Sequence, residues 1–275
     1  MCGLVGVVTG HQQKRRVQDI DALIDIFTAM LLLSEHRGPH ATGVAWVKRD
    51  GSLQVAKEPL PARQFVRSGT YLDWLMGVDR EMTYLMGHTR WPSRGSARNH
   101  AENHPLDCAL PILLTHNGTI LEHGRHLARL HLRQSTRVDS ELLARMAQHH
   151  TGPAGMEFKA FLDELAPLAG SMTLAMVATT RPEEILLLKG NMPLDVRLQP
   201  RRRVLAYASE APILDRALTS ESGWETLPLA YGEGLVVYTD SYTLQRVPFT
   251  FQGLNNMARY AGGSGCTAGV TRSDE

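Results

Sequence analysis

The sequence has few cysteines, no long hydrophobic run and almost no net charge. Its three cysteines, Cys2, Cys108 and Cys266, are odd in number and widely spaced, which indicates neither a disulfide framework nor a paired zinc site. The formal net charge of +1 gives no general electrostatic reason to expect a nucleic acid or an anionic membrane as a partner. With no signal-like N-terminal segment and no apolar run long enough to cross a bilayer, we expect a cytoplasmic protein that binds neither.

The residues that are present predict a layered α+β domain. Helical apolar spacing over residues 17–33 predicts an amphipathic helix, and Asp50-Gly51 between two short apolar runs predicts a β-hairpin. Other strand candidates are 83–86, 111–115, 172–178, 185–188, 204–208 and 235–238, and other helix candidates are 124–132, 140–149, 157–165 and 211–218. Strands in succession, interrupted by pairs of helices, favour sheets packed on each other with helices outside. Residues 246–275, which end in a Gly-rich polar stretch, are expected to form a mobile tail.

The chain begins MCGLVGVVTG, which places a cysteine directly after the initiator methionine. One interpretation is structural, because cysteine behaves as a small apolar residue and Leu4 to Val8 has the character of a buried strand. The other is chemical. Removal of Met1 would leave Cys2 with a thiol and a free α-amino group on the same residue, a nucleophile together with its own base.

Four further islands contain residues with catalytic potential, and each also has a structural explanation. They are HRGPHATG from His36, HTRWPSRGS from His88, THNGTI from Thr115 and VDSELL from Val138. The HRG stretch is typical of a helix C-terminus, and Asn117-Gly118 is typical of a tight turn. Asp139 stands where the N-cap of the following helix belongs, and Trp91 could be a core residue.

Taken together and in this order, the islands resemble the glutaminase domain of the class II glutamine amidotransferases, which are N-terminal nucleophile hydrolases. The matching motifs are CGLVG, HRG, HTRW, His104-Pro105, HNG and Asp139-Ser140-Glu141. The resemblance covers about residues 2–245, which we predict to be a single glutaminase domain followed by the C-terminal extension. The HTRW motif favours the glucosamine-6-phosphate synthase branch, whereas HRGP also occurs in asparagine synthetases.

The resemblance implies the four-layer αββα sandwich of this superfamily and a nucleophilic mechanism. Cys2 would attack the glutamine side-chain amide, and the Asn117 amide with the Gly118 backbone N–H would stabilise the oxyanion. The chemistry is consistent with this role, because a thiol of pKa about 8.5 and an α-amino group of about 7.7–8.0 exchange a proton at little cost. No separate histidine base is needed, and the resemblance implies neither a cofactor nor a metal.

The resemblance also assigns residues to substrate binding. Arg90 would bind the α-carboxylate of glutamine and Asp139 its α-ammonium group, so that a zwitterion meets one fixed charge of each sign. Trp91, Ser93 and His104 would contact the substrate, with Trp91 beginning a loop that closes over it. Arg37 would support the N-terminus without taking part in the reaction.

The sequence departs from the related branch in the loop after Trp91, where it has Pro92, Ser93 and Arg94, and it lacks a recognisable synthase domain. We therefore expect a stand-alone glutaminase that hydrolyses L-glutamine through a Cys2 thioester and passes ammonia to a separate synthase subunit. Two alternatives remain: a catalytically silent module that senses glutamine or docks on a synthase, and an N-terminal cysteine amidase of the acylase type. The sequence leaves the oligomeric state open, including a homo-oligomer.

Overall fold

The computed structural model describes residues 1–12, 15–219 and 221–255. In this part of the chain the strands are β1 (Gly3–Thr9), β2 (Ala41–Lys48), β3 (Leu53–Glu58), β4 (Met82–Arg90), β5 (Leu106–Ala109), β6 (Ile112–Ile120), β7 (Thr151–Gly152), β8 (Gly155–Met156), β9 (Gly170–Ala178), β10 (Glu184–Lys189), β11 (Asp195–Gln199), β12 (Val204–Ala208), β13 (Glu225–Thr226), β14 (Glu233–Tyr238) and β15 (Thr243–Pro248). The α-helices are α1 (Val17–Leu33), α2 (Ala62–Phe65), α3 (Gly69–Leu75), α4 (His123–Arg129), α5 (Ser140–His149), α6 (Phe158–Leu165) and α7 (Ala211–Ala217). Three short 3₁₀ helices cover Glu35–Arg37, His100–Glu102 and Pro200–Arg202.

Two antiparallel sheets form the centre of the domain. The seven-stranded sheet has the order β13-β11-β12-β1-β4-β2-β3, and the six-stranded sheet has the order β15-β14-β10-β9-β6-β5. Helix α1 packs on β1 and β4 of the larger sheet beside α7, while α5 packs on β5 and β6 of the smaller sheet beside α4 and α6.

Side-chain alternation along the strands builds three apolar layers. On β1, Val5 and Val7 pack with the residues of α1, whereas Leu4 and Val8 belong to the cluster between the two sheets. A third cluster fills the space between the smaller sheet and its helices. Since strand side chains alternate between the two faces, each sheet is covered on both sides. The result is the four-layer αββα sandwich that the sequence predicts.

The predicted local elements are confirmed where their sequence signals are strong. Helix α1 buries Ile20, Leu23 and Phe27 at helical spacing, and its first turn is held by the Asp19 carboxylate, which accepts from Arg16 N–H at 3.0 Å. Strands β2 and β3 form the hairpin predicted around Gly51, whose φ of +82° favours glycine.

Other parts of the fold depart from the sequence prediction. Strands β5, β11 and β15 and helices α2 and α3 lack a predicted counterpart. Strand β15 runs past residue 245, where the domain was predicted to end, and Phe249 and Phe251 are buried in the cluster beneath α5 and α6. The packed chain therefore continues beyond that boundary. The tail prediction for 256–275 lies outside the described residues.

The topology brings one end of three strands together. Because β1 and β4 are antiparallel with Gly3 opposite Thr89, the start of β1 lies beside the end of β4. The end of β6 approaches the same place from the other sheet, and β1 and β6 are in contact. Cys2, Arg90 and Asn117, which are far apart in sequence, therefore meet at one edge of the sandwich.

Candidate active site

Cys2 lies at the centre of this edge. Its backbone N–H donates to Asn117 Oδ1 at 3.1 Å, and its Sγ lies 3.4 Å from the backbone N of Trp91 and 3.5 Å from the backbone O of the same residue. Met1 precedes Cys2 in the structure, so the nitrogen held by Asn117 is an amide. An α-ammonium group formed by removal of Met1 would also donate to that oxygen, since both are hydrogen-bond donors.

The environment of Cys2 favours the thiol over the thiolate. Burial raises the pKa of the Cys2 thiol above its ordinary value, although the Trp91 N–H, the chain's N-terminal charge, Arg90 and Arg37 all act to lower it. At neutral pH the sulfur therefore keeps its proton. Attack on a carboxamide from this site requires a base, and the α-amino group of a processed Cys2 is on the same residue.

This pKa predicts how Cys2 responds to pH. In the chain that still carries Met1, alkylation by iodoacetamide should accelerate about tenfold per pH unit from pH 6.5 to 8.5, because the thiolate fraction grows by that factor below the pKa. The rate is measured on the Cys2 peptide by mass spectrometry, which separates it from Cys108 and Cys266. A rate that is flat across this range would show that the thiolate is already formed and would contradict the predicted direction.

Arg37 fixes the peptide that carries Cys2. Its Nε donates to the Cys2 carbonyl at 2.8 Å, and Nη1 is hydrogen-bonded to Glu210 Oε1. Glu210 Oε2 also contacts His36 Nε2 at 3.0 Å. The guanidinium is buried, so its charge needs this carboxylate partner. Glu210 directly precedes α7, and the sequence alone gave it no role.

Asn117 and Gly118 lie within β6, so the tight-turn interpretation of this dipeptide is wrong. The Asn117 amide is nearly fully buried, and its Nδ2 has no hydrogen-bond partner among the described residues. Gly118 has φ +152°, and a Cβ at this position would lie 2.0 Å from the backbone O of Ser171. The strand therefore requires glycine here for both conformation and space.

The Arg90 side chain is buried, and some of its N–H groups donate hydrogen bonds to the loop that follows it. Nη1 donates to Ser96 O at 3.1 Å and to Asn103 Oδ1 at 2.6 Å, and Nη2 donates to Arg94 O at 2.6 Å. A guanidinium has five N–H groups, so Nε–H and one Nη2–H are not used by these three bonds. A side-on carboxylate needs that pair of donors.

Asp139 does not cap α5, although the sequence places it at the N-cap position. Its backbone is helical, and its side chain makes no capping hydrogen bond. Instead Oδ2 accepts from the backbone N–H of Ile120 at 2.6 Å, two residues after Gly118. The carboxylate is nearly fully buried, and this bond leaves Oδ1 for a ligand. The capping interpretation of Asp139 is therefore wrong.

These groups line one small cavity. Its walls contain Cys2, Arg90, Trp91, Ser93, Arg94, His104, His116, Gly118, Val138, Asp139 and Ser140. Its volume of about 20 Å³ is that of roughly one water molecule, so an amino acid needs the wall to move. The exposed part of the wall is the loop after Arg90, in which Trp91 is 51% exposed and packs edge-on against His40.

The predicted residues thus fall into two groups. Cys2, Arg90, Trp91, Ser93, His104, Gly118 and Asp139 line the cavity, whereas Asn117 and Arg37 form hydrogen bonds with the Cys2 backbone. The core interpretation of Trp91 is wrong, because half of its surface is exposed. His104 has no hydrogen-bond partner on either ring nitrogen among the described residues, and burial lowers its pKa well below the ordinary value.

Sequence reasoning missed the residues that hold the loop. Asn103 binds Arg90, and its Nδ2 donates to Ala97 O at 2.6 Å. The buried Glu102 carboxylate accepts from Ser96 N at 2.5 Å and from Arg137 Nε at 3.0 Å. These bonds lower the pKa of Glu102 despite the opposing effect of burial. Their only signal in the sequence is their position just before His104-Pro105.

The described residues contain no group of three or more His, Cys, Asp and Glu side chains arranged to hold a metal ion. Among the helices that the structure describes, none combines the length and apolarity needed to span a membrane.

Sequence comparison finds relatives for most of the chain. No family model matches it. The glutamine–fructose-6-phosphate aminotransferase (isomerizing) of Aquifex aeolicus strain VF5 is 28% identical over 210 residues, which are 75% of this chain and 32% of the relative. The protein of the same name from Aeropyrum pernix is 28% identical over 250 residues, 86% of this chain and 37% of the relative. The chain thus spans about a third of the length of these curated relatives.

Structural comparison agrees on the fold. The glutamine phosphoribosylpyrophosphate amidotransferase of B. subtilis, solved with ADP and GMP, superimposes with a TM-score of 0.67 at 18% identity, covering 90% of this chain and 49% of that chain. A structure described as the allosteric regulatory enzyme of purine biosynthesis gives a TM-score of 0.66 at 19% identity with the same coverage. In its ordered motifs and its sandwich of two sheets the chain is similar to the class II glutamine amidotransferases, enzymes whose glutaminase domain has the N-terminal nucleophile hydrolase fold.

Proposed function

We propose that this chain hydrolyses the side-chain amide of L-glutamine to glutamate and ammonia through a thioester on Cys2. The proposal rests on one observation: the oxygen and the nitrogen of the Asn117 side-chain amide have different environments. Oδ1 holds the nitrogen of Cys2, while the buried Nδ2 has no partner within the described structure. A buried donor without a partner costs about 1–3 kcal/mol, which an oxyanion formed beside Cys2 Sγ would recover in the transition state.

The reaction needs one proton to move twice. Once Met1 is removed, the Cys2 α-amino group accepts the thiol proton as Sγ bonds to the amide carbon. Asn117 Nδ2 and the Gly118 N–H face the resulting oxyanion. The ammonium proton then passes to the departing nitrogen, so ammonia leaves and a γ-glutamyl thioester remains. Water adds to the thioester, its proton returns to sulfur, and glutamate is released. Cys2 supplies both nucleophile and base in this scheme.

The charges in the cavity suit an amino-acid substrate. The unused Nε–H and Nη2–H of Arg90 provide a bidentate site for the α-carboxylate, and Asp139 Oδ1 provides an acceptor for the α-ammonium group. Arg90 and Asp139 are both buried, so each gains more from a charged ligand than an exposed group would. An acylase-type amidase has no use for this pair.

Substitution of Asp139 by asparagine should raise the KM for glutamine by more than tenfold and change kcat less. The amide oxygen can still accept from Ile120 N–H, so the local structure is kept while the charge opposite the substrate ammonium is lost. Loss of one charge from a buried pair costs about 2–5 kcal/mol. Asp107→Asn removes a carboxylate that pairs with Lys57 outside the cavity and should leave KM unchanged. An unchanged KM in Asp139→Asn would refute the assignment.

We further propose that the ammonia is used by a synthase on a separate chain, under loop control that differs from the related branch. The support is that the curated relatives are named as aminotransferases of glutamine, which pass its nitrogen to an acceptor, and that Pro92 and Arg94 alter the loop over the cavity. Affinity purification with a C-terminal tag, which leaves Cys2 free, would identify the partner. Recovery of the chain alone from its own cells would contradict this finer proposal.

The direct test of function is product stoichiometry. Purified protein lacking Met1, as verified by intact mass, should release glutamate and ammonia from glutamine in equal amounts, and γ-glutamyl hydroxamate should form when hydroxylamine traps the thioester. A catalytically silent glutamine sensor would bind glutamine without either product. Asparagine, one methylene shorter, serves as the control substrate because its amide cannot reach Cys2 while its α-groups remain on Arg90 and Asp139.

A further inference from the structure

A chain of buried hydrogen bonds joins the three elements that carry the proposed substrate-binding groups. His88 Nε2 donates to the backbone carbonyl of His116 at 3.2 Å, and the His116 side chain bonds Ser140 Oγ at 2.8 Å. His88, His116 and Ser140 are all nearly fully buried. Each of them stands within two positions of a proposed substrate contact.

Each of these three residues is close in sequence to a different proposed substrate-binding residue. His88 precedes Arg90 by two residues on β4, His116 is adjacent to Asn117 on β6, and Ser140 follows Asp139 at the start of α5. The carboxylate site, the oxyanion donor and the ammonium site are thus connected through one set of side chains. The element that joins them is His116, whose backbone receives one bond and whose ring makes the other.

The tautomer of His116 follows from its partners. Nε2 faces the backbone carbonyl of Ser171 at 3.4 Å, which can only accept, so this nitrogen carries the proton. Nδ1 is then the acceptor for the Ser140 hydroxyl. Burial lowers the pKa of His116, although Asp139 acts to raise it, and burial lowers the pKa of His88 to about 3. Both rings are neutral at physiological pH.

We propose that His116, locked in its neutral Nε2–H form by Ser140, is a positioning residue that sets the spacing between the oxyanion donor and the two charged substrate sites. His116 lies in the cavity wall, and the role proposed for it is to position Asn117 and Asp139. This inference rests on the proposed glutaminase function. A displacement of about 1 Å at a reacting group can cost about a hundredfold in rate, so a single buried hydroxyl has a measurable effect.

The kinetic test removes only the hydroxyl of Ser140. Ser140→Ala should lower kcat/KM for glutamine about tenfold, with kcat reduced and KM raised. The reason is that the hydrogen bond between His116, which adjoins Asn117, and Ser140, which adjoins Asp139, is lost. The matched control is Thr9→Val, which removes a buried hydroxyl bond to Met82 O at the far end of β1. The control should lower the melting temperature without changing kcat or KM. Equal kinetics for Ser140→Ala and wild type would overturn the inference.

The spectroscopic test does not depend on catalysis. Imidazole ¹⁵N shifts of His116 in the intact protein should show the neutral Nε2–H tautomer at pH 7.5 and a pKa below the ordinary value, and Ser140→Ala should shift the Nδ1 resonance. The other tautomer, or a titration near pH 6.5, would refute the hydrogen-bond chain. Wild-type protein that releases no glutamate would refute the proposed function instead, and with it the kinetic role given to His116, so the two failures give different results.

Discussion

Cys2→Ala is expected to abolish glutamate release, with a fall in rate of roughly 10⁴-fold or more, because no other group in the cavity can form the thioester. The substitution removes one sulfur from a site whose backbone is held by Asn117 and Arg37, so the fold should be retained. Cys108→Ala is the matched control, since Cys108 is a half-buried free cysteine that does not line the cavity. It should have wild-type activity.

The same prediction extends to the nitrogen of Cys2. A chain that keeps Met1, or carries an uncleavable N-terminal tag, has an amide at this position and cannot accept the thiol proton. Because burial raises the pKa of the Cys2 thiol, the thiol needs a base to remove its proton, and such a chain has no α-amino group on Cys2 to act as that base. It should therefore be inactive while still folded. Substantial activity in either the tagged chain or Cys2→Ala would exclude an N-terminal cysteine mechanism.

Much of the fold could be predicted because strong local signals coincide with real elements. The helix over 17–33 and the hairpin around Gly51 have periodicity and turn chemistry that act over a few residues. Strands β5 and β11 lack such a signal, because they are short and alternate irregularly between buried and partly exposed positions. Their existence depends on a neighbouring strand that supplies hydrogen bonds, which no local pattern records.

Some features of the candidate site could likewise be predicted from the sequence, and others could not. The order of motifs was enough to gather Cys2, Arg90, Asn117 and Asp139 as candidates, but each has a local alternative that only tertiary structure can decide. Asp139 illustrates this, since its partner is Ile120 N–H and not the first turn of α5. Glu210 could not be predicted, because its pairing with Arg37 spans 173 residues and arises from the packing of α7 beside α1.

Removal of the Asn117 amide donor is expected to lower kcat by roughly 10²–10³, the typical cost of losing one oxyanion donor. The sharpest variant is Asn117→Asp, which is isosteric and keeps an oxygen to accept from the Cys2 nitrogen while replacing the unpartnered Nδ2. KM should change little, because the α-groups of the substrate are bound by Arg90 and Asp139. Asn117→Ala should show a similar loss of kcat.

Comparing the two Asn117 variants separates the two tasks of this side chain. In Asn117→Ala the Cys2 nitrogen also loses its acceptor, so alkylation of Cys2 by a diazo-ketone analogue of glutamine should slow further than in Asn117→Asp. The aspartate variant carries a negative charge where the oxyanion forms, which disfavours thioester formation even with Cys2 correctly placed. Unchanged kcat in Asn117→Asp would mean that Nδ2 does not face the oxyanion, and the Gly118 N–H would then have to stabilise it without the help of Asn117.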